Sequence, residues 1–193
     1  MKKKKKVLHV IGSMNRGGAE QLIMNIYREI DLDIYQFDFA VQTNIPAYFD
    51  EEIITLGGRI FSQPSPSYKG IFSYIKSLIE IIQRNGPYDC IHSHIFSFSG
   101  IVMYIGRILN IPVRIAHSHN TSDSKTETSF RVLYKSLMRR LIISNATDLV
   151  GCSSEACKAL FGKNIMDNGQ ATIIPNAIKI ERFKDIKKES NYL

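Results

Sequence analysis

The sequence predicts an α/β protein built on a doubly wound parallel sheet. Three observations predict it. Short apolar runs alternate with amphipathic stretches of helical period from Val7 to Ile174. Glycine, asparagine and proline mark the breaks between them, as at Gly57-Gly58 and Asn85-Gly86-Pro87. The 193 residues are 44% hydrophobic and 22% charged, enough for one sizeable core and too apolar for global disorder. Strand and helix in regular alternation imply right-handed crossovers and helices on both faces of the sheet.

Taken in order, Val7 to Ile11 reads as a buried strand. Gly18 to Ile30 reads as a helix, because Leu22, Ile26 and Ile30 recur on one face beside Ile23 and Tyr27. Phe37 to Val41 is a second strand, Pro46 to Leu56 a short helix stopped by two glycines, and Arg59 to Phe61 a third strand. Two prolines make 62–70 a loop. Lys69 to Arg84 is a strongly periodic helix. Strands at Asp89 to His92 and Val113 to His117 flank a helix at Phe98 to Leu109. A helix at Phe130 to Ile143, a strand at Asp148 to Cys152, a helix at Glu155 to Phe161 and a strand at Ala171 to Ile174 complete the pattern. Periodicity is lost and charge rises after Lys179, as in a linker. We therefore expect a basic tail over 1–6, one domain over 7–176 and the start of a linker over 177–193.

The net charge of +7 suggests a nucleic-acid partner, but its source argues otherwise. Lys2 to Lys6 supply five of the 25 basic side chains, and the remaining 20 nearly balance 18 acidic ones. The body of the chain is not read as a nucleic-acid binder. The lysine run suits a solvated tail or attraction to anionic lipid headgroups. It has no apolar stretch and cleavage site after it, so it does not read as a signal peptide. Cys90, Cys152 and Cys157 are odd in number and lack C-x-x-C spacing, which points to a reduced, cytoplasmic setting. The longest apolar stretch, Ile95 to Val113, is interrupted by Arg107 and Asn110 and is not a membrane span.

Function is read first from the loop between the first strand and helix. Ligands in doubly wound folds sit beyond the carboxyl ends of the strands. Gly12 to Gly18 lies there, and the helix that follows aims free N–H groups into the crevice. Gly17 and Gly18 would let a phosphate or sugar approach the backbone; the structural alternative is a tight turn with close helix–sheet packing. The glycine order does not match G-x-G-x-x-G, and Val41-Gln42-Thr43 supplies no acid for a ribose, which weakens a nicotinamide dehydrogenase. Gly18-Ala19 stands where a P-loop ATPase would carry Lys-Ser.

Four of the five histidines form two pairs, His92 with His94 and His117 with His119, each closing a strand. A period of two sends both members of a pair to one face. Without a carboxylate or cysteine to complete a ligand set, they point away from metal and towards hydrogen bonding or acid–base work on a polyhydroxylated or anionic ligand. His94 and His119 are assigned to function. His92 and His117 are expected to cap strand ends by bonding to loop backbone, and His9 to be a satisfied core residue.

"GGAE" at Gly17, "YDCIHSH" ending at His94, "RIAHSHNT" around His119, "VGCSSEACKALFG" and "IIPNAIKIERF" occur in that order. Together they resemble family 4 retaining glycosyltransferases of the GT-B fold, nearest to the subgroup that makes capsular and extracellular polysaccharides. The resemblance runs from Val7 to about Phe183. It implies two Rossmann-like domains facing across a cleft, with this chain as the N-terminal, acceptor-side half; the sequence runs only 17 residues past Asn176. It further implies that Gly17 and Gly18 approach the donor diphosphate, that His119 contacts the donor sugar, and that His94, Asn120 and Asn176 lie on the acceptor or sugar side. It implies no cofactor and no metal. Lys179 departs from the family pattern, which has an acid there, and Glu20 is given only a structural place in the first helical turn.

The partners implied are a nucleotide-sugar donor and a saccharide or lipid-linked acceptor. The 129–142 helix places Phe130, Leu133, Tyr134, Leu137, Met138 and Leu141 on one stripe, expected to pack on the sheet. Arg131, Lys135, Arg139 and Arg140 form a basic face that, with Lys2 to Lys6, could lie on an anionic membrane surface at the inner leaflet. The competing readings are a nucleotide-sugar epimerase of related fold and a non-catalytic sugar- or membrane-binding module.

Overall fold

A computed structural model of the chain describes residues 3–66, 70–121 and 128–176. Its seven strands are β1 (Lys5–Ile11), β2 (Tyr35–Val41), β3 (Arg59–Ser62), β4 (Cys90–Ser93), β5 (Val113–Ser118), β6 (Asp148–Gly151) and β7 (Thr172–Ile173). The helices are α1 (Gly18–Glu29), α2 (Asp50–Thr55), α3 (Ile71–Asn85), α4 (Ser99–Ile108), α5 (Ser129–Asn145), α6 (Ser154–Phe161) and α7 (Lys163–Asp167), with a 3₁₀ turn at Phe96–Phe98. The strands form one sheet in the order β3-β2-β1-β4-β5-β6-β7, and every pairing is parallel. The predicted fold class is the one observed.

Strand order grows outward from β1 in one direction and from β4 in the other, so the right-handed crossovers change face between them. The consequence is two cores. Ile11, Phe37, Phe39 and Val41 meet Ile23, Met24 and Tyr27 of α1 and Ile53 of α2 on one face. Leu8, Val10, Ile91 and Ala116 meet Leu78 of α3, Met103 of α4, Ile142 of α5 and Phe161 of α6 on the other. Side-chain alternation along β1 divides its residues between the two.

Several boundaries differ from the sequence reading. β1 begins at Lys5, because Lys5 and Lys6 extend the ladder to Tyr35 and Gln36 and the Lys6 amide donates to Asp89 at 2.9 Å. The last two lysines of the run are thus strand residues rather than tail. The 177–193 linker lies outside the described residues, as does Lys69 at the start of the predicted third helix. The short helix α7 was missed; its five residues carry no apolar period.

α5 corrects an expectation. Its buried residues are Met138, Ile142 and Asn145, whereas Phe130, Leu133 and Leu137 are 80%, 68% and 52% exposed. Gly100 decides the docking face: a Cβ there would lie 2.7 Å from the Met138 carbonyl oxygen, so α4 and α5 cross almost backbone to backbone. Arg139 leaves the predicted basic face, donating to the Leu160 and Ala159 carbonyls at 3.0 Å each, where it satisfies the last turn of α6.

An ionic knot on β2 also escaped the sequence. Asp38 is fully buried and accepts from Arg59 at 2.5 Å, from the Tyr88 hydroxyl at 2.9 Å and from the Gln36 amide at 2.9 Å. A buried carboxylate is retained only with such partners.

Candidate functional site

β1, β4 and β5 are adjacent, and their carboxyl ends meet where the strand order reverses. Register places His9 opposite His92. The period of two then puts His94 beside His92 and His119 beside His117, with ring centroids 4.2 and 4.0 Å apart. All five histidines of the chain form one cluster. His9 Nδ1 lies 3.1 Å from His94 Nε2, and His94 Nδ1 lies 2.9 Å from His119 Nε2. His92 Nε2 lies 3.2 Å from His117 Nδ1.

This corrects three assignments. His92 and His117 bond to each other rather than capping loop backbone. His9 is buried as expected but only half satisfied: among the described residues its Nε2 has no partner, nor do His117 Nε2 and His119 Nδ1. His9 instead packs its ring against Phe37 and Phe39, at 4.5 and 5.3 Å. Sequence alone could not join β1 to the pairs, because the β1–β4 pairing is a choice of strand order.

Burial keeps the cluster neutral. It lowers the His9 pKa to about 3, helped by charge repulsion from His117, and lowers His119 to about 4. His117 falls to about 2, from burial first and then from His119 and His92. His92 and His94 are pushed well below the ordinary histidine range by burial and by their neighbours. A cavity of about 260 Å³ separates the rings from α1 and is bounded by Leu22, Ile26, His92, Ile115 and Ile174. His9, His92, His94 and His117 border it.

The ring nitrogens form two triads whose ligating atoms lie within 4.8 Å of one another, His9–His92–His94 and His94–His117–His119. Among the described residues, neither triad includes a carboxylate or a cysteine. Imidazole alone suits zinc or copper, but one nitrogen or more of every member is already spent on another imidazole.

α1 starts immediately beyond Gly17, which is its N-cap with extended backbone and no side-chain cap. Neither glycine of the pair has positive φ; among the described residues a Cβ at Gly17 would lie nearest the carboxylate of Glu20, and one at Gly18 would meet the Asn176 amide at 3.1 Å. The pair is therefore not demanded by a tight turn or by helix–sheet contact. Glu20, half-buried, folds its carboxylate back over the helix start; burial raises its pKa. The structure brings Gly18 and Asn176 together. Asn120 is exposed one residue past His119, and its carbonyl accepts from the Ser118 hydroxyl at 3.3 Å. The loop after His94 turns through Phe96 with φ of 50°, a left-handed conformation that costs a bulky residue about 1 kcal/mol or more. Beside the glycine loop, a cavity of about 600 Å³ is lined by Arg16, Gln21, Arg28, Tyr48 and Glu52. Arg16 stacks on Tyr48 at 3.9 Å.

A doubly wound parallel sheet, a bare helix N-terminus after β1 and polar groups at the β1, β4 and β5 ends define the N-terminal half of a GT-B glycosyltransferase fold. The crystal structure of Anabaena Alr3699/HepE in complex with UDP and glucose superposes with a TM-score of 0.63 at 15% identity, over 92% of this chain and 46% of that one. The Glycosyltransferase Family 4 profile matches residues 16–182, and the chain belongs to that family. The putative glycosyltransferase EpsF of Bacillus subtilis is 41% identical over 93% of this chain and 47% of its own length. The capsular polysaccharide biosynthesis glycosyltransferase CapH of Staphylococcus aureus is 26% identical over 96% of this chain and 51% of its own. The chain spans about half the length of these curated relatives.

Proposed function

We propose that this chain is the acceptor-side domain of a retaining glycosyltransferase that moves a sugar from a nucleotide-sugar to a saccharide or lipid-linked acceptor during extracellular or capsular polysaccharide synthesis. The observation that carries the reading is the hydrogen-bonded pair His94–His119 at the carboxyl ends of β4 and β5, at the fold's switch point. The name of CapH supports the polymer class, that of EpsF supports glycosyl transfer, and the UDP and glucose bound to HepE support a nucleotide-sugar donor.

In this reading Gly17 and Gly18 lie against the donor diphosphate, whose charge is favoured by the partial positive charge at the start of α1. Glu20 then swings away from the helix start. His119 contacts the donor sugar as a neutral group, which orients it without adding positive charge beside an anomeric carbon that becomes electron-poor. His94, Asn120 and Asn176 line the acceptor or sugar side. Catalysis proceeds without a metal, so chelation by EDTA leaves the rate unchanged. Residues 1–193 alone lack most donor contacts and are catalytically silent. Phe130, Leu133 and Leu137, exposed on α5, give a membrane-facing stripe, with Arg140 exposed nearby; binding to anionic but not zwitterionic vesicles tests this.

The central test is His119→Ala in the full-length enzyme. Loss of one positioned contact lowers kcat on the order of 10²-fold or more, with nucleotide affinity nearly unchanged by calorimetry. Wild-type kinetics in this variant would overturn the assignment.

A further inference from the structure

We propose that the cavity between α1 and α2 is the distal acceptor subsite, and that Arg16, stacked on Tyr48, makes it specific for a saccharide carrying a phosphate or carboxylate group. The acceptor role rests on the glycosyltransferase reading above; the affinity for an anionic saccharide does not.

The cavity of about 600 Å³ falls within the range of small-molecule sites, roughly 300–1,000 Å³. Its walls are held in place. The Phe49 amide donates to the Met14 carbonyl at 3.0 Å, and the Tyr48 amide donates to the Asn15 side-chain oxygen at 3.1 Å, so the start of α2 is tied to the glycine loop. Along α1, Gln21 donates to Asn25 at 2.9 Å, and Asn25 also accepts from Arg28 at 3.1 Å. Arg28 in turn grips both carboxylate oxygens of Glu52, at 2.5 and 2.7 Å. Steps of four and three residues put these three α1 side chains on one helix face. The lining is polar and fixed before any ligand arrives, which suits a hydroxyl-rich molecule.

Charge decides the ligand class. Arg28 and Glu52 neutralise each other, and Glu20 does not line this cavity. Arg16 is exposed and has no ion pair among the described residues. Its guanidinium lies 3.9 Å from the centre of the Tyr48 ring. Stacking covers the face of the guanidinium and leaves the in-plane N–H groups to meet two oxygens of one anion. The cavity thus presents one uncompensated, oriented positive charge.

Position decides the role. Gly17 lines the cavity and also stands at the proposed donor-diphosphate position, so the two sites adjoin at the start of α1. From there the cavity follows α1 to Arg28, about three turns on. It lies on the β2 and β3 side of the glycine loop, whereas His94 and His119 close β4 and β5 on the other side of β1. An acceptor needs that arrangement: its reacting hydroxyl sits beside the donor, and the rest of the molecule leads away.

The test is titration calorimetry on the full-length protein in saturating UDP with two matched pairs of probes. Cellobiouronic acid against cellobiose reads a carboxylate; geranyl diphosphoryl-glucose against geranyl glucoside reads a phosphate. At least one anionic probe is expected to bind tenfold or more tightly than its neutral twin, with a preference that shrinks as salt rises. Arg16→Gln is expected to weaken that probe about ten- to a hundredfold, the worth of a charge-assisted contact, with UDP affinity and melting temperature unchanged. Tyr48→Phe keeps the stack and is expected to bind like the wild type, whereas Tyr48→Ala frees the guanidinium and is expected to weaken binding several-fold. Anionic probes that bind no better than their twins, or that ignore Arg16→Gln, overturn the proposal. A loss confined to UDP in Arg16→Gln assigns Arg16 to the donor and overturns it as well. Wild-type protein that binds an anionic probe with this Arg16 dependence but fails to bind UDP keeps the anionic subsite and removes its acceptor role together with the glycosyltransferase reading.

Discussion

Lowering the pH from 7 to 5 is expected to unfold this chain. The perturbation acts on the five clustered histidines, whose folded-state pKa values all lie below the ordinary 6.5. Between the folded and unfolded values the unfolded chain binds more protons, so stability falls as pH falls. The window opens near 6.5 and extends down to about 4 for His119, about 3 for His9 and about 2 for His117. A histidine that stays neutral in the folded chain costs on the order of 1–2 kcal/mol at pH 5 relative to pH 7. Over the cluster the loss is on the order of 5–10 kcal/mol, comparable with a typical domain stability of about 5–15 kcal/mol. Most carboxylates remain ionised at pH 5, and Glu20, whose pKa is raised, acts in the opposite direction by binding its proton in the folded state first. The assay is thermal melting by circular dichroism at pH steps from 7.5 to 5, with denaturant melts at pH 7 and 6. At pH 6 the loss is expected to be about 3 kcal/mol. A melting temperature that stays constant across the range would show that the rings take up protons while folded, and that the cluster is wetter or looser than its geometry indicates.

Asp38→Ala leaves Arg59 and the Tyr88 hydroxyl without their buried acceptor, and is expected to cost about 3–5 kcal/mol in denaturant unfolding. Gly100→Ala pushes a methyl into the Met138 carbonyl and is expected to lower the melting temperature by several degrees, equivalent to about 1–3 kcal/mol. Ile142→Ala is expected to cost about 2–5 kcal/mol and Phe130→Ala within about 0.5 kcal/mol, reversing the order that the apolar stripe of α5 alone suggests. Gly18→Val in the full-length enzyme is expected to abolish transfer while the melting temperature stays nearly constant, because among the described residues a Cβ there meets only the Asn176 amide; a steep fall in melting temperature would mean that the glycine serves packing.

Much of the architecture was legible because it is written in local periods. Alternating apolar runs and 3.6-residue stripes announce a parallel α/β sheet, and the strand-closing positions of His94 and His119 follow from reading two strands correctly. The glycine pair likewise announced a bare helix start. What local pattern cannot carry is who sits next to whom. The order β2-β1-β4-β5 makes His9 the inner member of the histidine line, though nothing in its own surroundings in the sequence marks it. The same long-range pairing ties Asp38 to Arg59 and Tyr88, and the absence of a side chain at Gly100 rotates α5 so that Met138 and Ile142 go inward while Phe130 faces out. The sequence by itself determined the elements and the strand ends at which chemistry would gather, because those depend on residues a few positions apart. Only the tertiary structure decided that five imidazoles share one desolvated cluster, because strand order and burial are set by contacts between distant residues, such as His9 and His94, 85 positions apart, and it is burial that keeps every ring neutral.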